Sequence, residues 1–135
     1  MLYRQKSAAV TLAAILLIFG TYGAISLYGP PRSESSMVWS LIGVTILFIN
    51  VVGIGHIALA IQHRREEVVD ERDRAIDRDS TVRAYHVLSF GVFGILVLGL
   101  LGTPPILIAN AALYCFAAAE GVRMASQLHF YARRS

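Results

Sequence analysis

His56, His86 and Glu120 are ionisable residues standing within otherwise apolar runs of this chain. Two imidazoles and a carboxylate can relay protons or ligate a metal, because imidazole titrates near neutral pH and is a common ligand. At about 1.5 Å per helical residue, His56 lies about 25 Å from Trp39, His86 about 25 Å from Thr103 and Glu120 about 22 Å from Pro105. They therefore share one depth near the inner edge of a bilayer. An ionised group costs roughly 2.5 to 3.5 kcal/mol at the bilayer centre and less at its edge, so it turns towards protein or water. The structural alternative carries more weight: Glu120 pairs with Arg123 one turn along, and the two His reach for the interface.

The second constellation is the charged stretch from His63 to Arg83. If it is helical, Glu66, Asp70, Asp73 and Asp77 follow a 4-3-4 spacing and line one face. Glu71, Arg72 and Arg74 complete a candidate partner-binding set. Such a face can stay solvated and self-paired, recruit a basic cytoplasmic protein, or offer oxygen ligands to a divalent cation. A straight helix spreads these carboxylates too far for one ion, so neither a metal nor a cofactor is expected. Val68, Ala75 and Val82, with Val69 and Ile76 beside them, predict a narrow apolar seam for a second helix or a second copy. Asp70 with Arg74 and Asp79 with Arg83 have favourable i,i+4 spacing.

The elements that position these residues are apolar. Of 135 residues, 56% are hydrophobic and 16% charged, against about a quarter charged in soluble domains. Four runs, 7–28, 38–61, 85–101 and 105–122, approach or exceed the roughly 17 to 20 residues that a helix needs to cross a bilayer. None alternates with period two. The expected fold is a single all-α domain: an integral membrane four-helix bundle with a cytoplasmic helical extension between the second and third spans. The first run is too long for a cleavable signal and is followed by three more, so it counts as a span.

Every Lys and Arg except Arg32 falls before the first span, between the second and third, or after the fourth. Both termini and the charged stretch are thus expected in the cytoplasm, with the bundle in the inner or plasma membrane. The same distribution explains the net charge of +3 without a nucleic-acid partner. Gly29-Pro30-Pro31 ends the first helix and Ser33 to Ser36 offer N-caps for the second. Thr103 before Pro104-Pro105 predicts a hydroxyl cap and a tight antiparallel pairing of the last two helices. The chain between them must reverse before the third span, at Asp70 or at Asp79-Ser80-Thr81. A break at Asp70 gives a third helix from Glu71 to Leu101, about 46 Å long.

Small residues spaced by four predict close packing of the first and fourth helices: Ala111, Cys115 and Ala119, Ala117 with Gly121, Ala9 with Ala13, and Gly20 with Ala24. Such stripes also serve contacts between protomers, and a homo-oligomer is expected. Cys115, the lone cysteine, reads as a packing residue. Asn50 and Asn110 read as interhelical hydrogen-bonding residues. No phosphate loop, nucleophile elbow or HExxH motif occurs, so enzymatic activity is not expected.

Asp70-Glu71-Arg72-Asp73, followed by Ile76, Ser80 and Ala84-Tyr85, resembles the signature of a family of small prokaryotic membrane proteins of unknown function. The resemblance implies the four-span plan with its charged segment, and no chemistry. Asp77 and Asp79 make this chain more acidic than that pattern. Similar proteins often accompany helix-turn-helix regulators, which implies partner recruitment. A non-enzymatic, partner-recruiting membrane protein is the first expectation, and a channel or transporter subunit using His56, His86 and Glu120 is the alternative.

Overall fold

A computed structural model describes residues 3–63 and 71–133. The apolar runs form α1 (Tyr3–Tyr28), α2 (Glu34–His63), α3 (Glu71–Leu100) and α4 (Pro105–Arg133). All are long and apolar enough to cross a membrane. The chain is an all-α four-helix bundle. In lipid only helices or closed barrels satisfy every backbone group internally, which is why these runs fold this way.

Helix ends follow local chemistry. The Ser36 amide donates to Ser33 Oγ at 3.3 Å, so Ser33 caps α2. α3 runs unbroken through Asp79-Ser80-Thr81, which excludes the second of the two expected break points; Asp70, the first, lies outside the described residues. The helix ends in a Schellman turn: Thr103 N donates to Leu98 O, Gly102 N donates to Gly99 O, and Gly102 has φ 74°. The Thr103 hydroxyl cap is corrected. Ile108 N donates to Pro104 O, so Pro104 is the N-cap and Pro105 holds the first helical position, where its missing N–H is harmless.

α4 lies at the centre. It packs against α3 on one side and α1 on the other, and brushes α2, which packs on α1. Among the described residues α3 touches neither α1 nor α2, so the bundle is open in cross-section. Its core is Ile15, Phe19, Phe48, Leu113 and Ala117. Phe19 meets Phe48 edge-on with ring centroids 5.2 Å apart, an arrangement aromatic quadrupoles favour.

The two small-residue stripes of α4 serve different neighbours. Ala117 enters the core, and Gly121 lies opposite Leu12 of α1. Cys115 faces α3, where a Cβ added to Gly91 would overlap its sulfur, and its thiol points to Leu88 O at 3.7 Å. The expectation for α1 is corrected: its contact face is Ala8, Ile15, Phe19 and Tyr22, whereas Ala13, Gly20 and Ala24 are exposed. Bulky rings of α1 fill against small residues of α4, because close packing needs small groups on one side only. Asn110 accepts from the Tyr22 hydroxyl, a tie between α1 and α4. Asn50 instead donates to Ile46 O of its own helix at 2.7 Å.

Candidate functional site at the α3–α4 stalk

α3 has 30 residues and α4 has 29, about 45 Å each, against about 30 Å of hydrocarbon. The excess lies at the end opposite the Gly102 turn, where the pair continues as a two-helix stalk. α4 reaches Arg133, beyond the expected limit of 122. The extension is therefore a packed hairpin rather than a single helix.

Antiparallel register decides which α3 residues meet α4. Ile76, 2% exposed, and Ser80, 0% exposed, are buried on the face that also carries Asp73 and Asp77. Ser80 Oγ donates to Ile76 O at 2.7 Å, so its buried hydroxyl is satisfied within its own helix. The Tyr131 hydroxyl donates to Asp73 Oδ1 at 2.9 Å. Asp77 Oδ1 accepts from Gln127 at 3.1 Å and from Arg123 at 3.3 Å. Arg83 stacks on the Phe130 ring, 4.8 Å from its centroid. Side chains tilt towards the N-terminus of their helix, so in this antiparallel pair Arg83 reaches down the stalk while Phe130 reaches back.

The expected partner-binding set thus divides. Asp73 and Asp77 are engaged by α4, whereas Glu71, Arg72 and Arg74 are exposed. Glu66 and Asp70 lie outside the described residues, as do Val68 and Val69. The expected apolar seam is borne out at Ile76, which is buried, and corrected at Val82, which is 49% exposed; the buried line runs through Ile76 and Ser80. The i,i+4 pair of Asp79 with Arg83 is also replaced, since Asp79 meets Arg78 at 3.5 Å and Arg83 turns to Phe130. An aromatic face on a neighbouring helix outcompetes an exposed ion pair worth a few tenths of a kcal/mol.

On the outward face, Glu71, Arg74, Arg78, Val82 and Tyr85 recur at three- and four-residue spacing and are all exposed. That face is mixed and leans basic, the reverse of an open acidic stripe. α4 supplies the residues sequence reasoning missed: Arg123, Gln127 and Tyr131. Their own i,i+4 spacing, in a tail from Val122 to Ser135 without Gly or Pro, was the available signal.

The described side chains of the intramembrane set are not brought together. Glu120 Oε2 lies 3.9 Å from Arg123 NH1, which is the local pairing of the structural alternative. His86 is exposed on α3 beside the Tyr85 ring. His56 belongs to α2, which does not touch α3, and its side chain lies outside the described residues. Among the described residues no three His, Cys, Asp or Glu side chains converge as a metal site requires.

The stalk contacts have unequal weights. Asp77 is 54% exposed as a side chain, so Asp77→Ala should cost under about 1 kcal/mol. Tyr131 is buried at 4% exposure, and its bond to a half-buried carboxylate is worth roughly 1.5 to 3 kcal/mol. Tyr131→Phe is expected to lower stability more than Asp77→Ala does, which denaturant titration in mixed micelles will measure.

No family model, curated protein or solved structure matches the chain.

Proposed function

We propose that this protein is a non-enzymatic membrane anchor that holds out the α3–α4 stalk to recruit a cytoplasmic partner protein, and that copies of it self-associate. One observation carries the proposal. Asp73 and Asp77 are used internally by Tyr131, Gln127 and Arg123, which stiffens the stalk and leaves Glu71, Arg74, Arg78, Val82 and Tyr85 facing away from the bundle. A preformed helical face binds without the ordering cost that a disordered segment must meet. Two arginines and a tyrosine on it suit an acidic partner surface, since Arg and Tyr are enriched where interfaces bind strongly. The basic residues near that end support a cytoplasmic stalk by the positive-inside rule, in keeping with the inner or plasma membrane.

Ion or proton passage along His56, His86 and Glu120 has less support, because the helices bearing the two His do not meet and Glu120 turns to Arg123. The test is photo-crosslinking in native membranes with a reactive residue at Arg74 or Arg78, against a control at Ser80. Capture of a partner protein or a second copy from the outward positions, and of α4 alone from Ser80, is expected. Intrachain products from every position would refute the proposal, as would proton flux in liposomes that Glu120→Gln abolishes.

A further inference from the structure

We infer that the cleft bounded by the end of α1, the Gly29–Ser33 connection and the starts of α2 and α4 binds an anionic phospholipid, with its phosphate on Arg32 and an acyl chain against Phe19, Leu107 and Tyr114. The cleft is about 830 Å³, within the roughly 300 to 1,000 Å³ of small-molecule sites. α3 does not reach α1 or α2, so no described helix of the chain closes it. The polar groups of its floor satisfy each other, the Tyr22 hydroxyl donating to Asn110, and the walls beside them are apolar. At hydrocarbon depth there is no bulk water to fill such a space, and a lipid tail is the matching solvent.

Arg32 sets the chemistry of the mouth. It is half-buried, and one guanidinium nitrogen donates to Ser40 Oγ at 3.1 Å, which holds the head group over the cleft. Glu34 is exposed, and among the described residues no carboxylate pairs with Arg32. A guanidinium fork with donors to spare matches phosphate oxygens. An apolar helix of a second copy would cover the cleft only by burying this charge without a counter-ion, which is costly. A phospholipid brings the apolar tail and the anion in one molecule. The inference rests on the membrane-spanning character of the helices and is independent of the stalk's recruiting role.

Native mass spectrometry of the full chain, released from detergent containing equal phosphatidylglycerol and phosphatidylcholine, tests it. Both lipids offer a phosphate, but the choline cation of phosphatidylcholine opposes the guanidinium, so phosphatidylglycerol should be retained over phosphatidylcholine by about fivefold or more. Arg32→Gln should bring that ratio towards unity. Gly20 lines the cleft and a Cβ there meets nothing within 4 Å, so Gly20→Leu should fill the space and reduce retention of both lipids with the fold intact by circular dichroism. Equal retention of both lipids by the unaltered protein would overturn the inference. So would phosphatidylglycerol retention unchanged in both variants, or a dimer that Gly20→Leu abolishes, which would make a second copy the occupant.

Discussion

Replacing Gly91 by leucine should force α3 away from α4 and lower stability by about 3 kcal/mol or more, at the upper end of overpacking costs. The reason is local. A Cβ at Gly91 would overlap the Cys115 sulfur and lie 3.1 Å from its Cβ, and α4 is the only described helix against which α3 packs. Even Gly91→Ala tests the claim, because two effects oppose. Alanine is about 1 kcal/mol better than glycine inside a helix, while overpacking a tight contact costs roughly 1 to 3 kcal/mol. The close contact with the Cys115 side chain should win, giving a net loss. Cys115→Gly in the Gly91→Ala background removes both the sulfur and the Cβ and should restore part of that loss, whereas Cys115→Ala should restore less. Denaturant titration of the double-mutant cycle reads the coupling. Stability raised by Gly91→Ala would show that the two backbones are not in close apposition.

Ser80→Leu should also disrupt the stalk. Ser80 has 0% exposure and no room for a larger group, so leucine should cost about 2 to 3 kcal/mol. Ser80→Ala is the control. The hydroxyl bonds only to a carbonyl of its own helix, and that carbonyl keeps its helical amide, so the change should stay within about 0.5 kcal/mol. Denaturant titration of the two variants in mixed micelles reads the difference. A loss from Ser80→Leu no larger than that from Ser80→Ala would mean that Ile76 and Ser80 do not set the register of the stalk.

Ser80 lies in the run that resembles a family signature, and the packing gives that run a physical meaning. Asp73 and Ile76 sit on the face of α3 that meets α4, with the small residue Ser80 one turn further on. The small residue allows approach, Ile76 fills the gap, and Asp73 receives the Tyr131 hydroxyl. A helix-pairing role accounts for these residues without any ligand.

Much of this chain was legible in one dimension. The four spans, their all-α character and the Ser33 cap follow from apolar run length, Pro and Gly placement, and the demand that lipid makes on every backbone group. Position along each helix follows as residue number multiplied by rise. What the sequence left open was azimuth. A helical wheel ranks faces but does not say which face receives a neighbour, so the carboxylate spacing suggested an open acidic stripe and the heptad spacing suggested a seam through Val82. Tertiary packing kept Ile76 of that seam, left Val82 exposed and added Ser80, because only there can α3 approach α4 closely. The same choice turned Asp73 and Asp77 inward to α4, left Arg74 and Arg78 outward, and kept α2 and α3 apart. Run length and rise determined where along its helix each group sits; helix packing alone decided which groups meet.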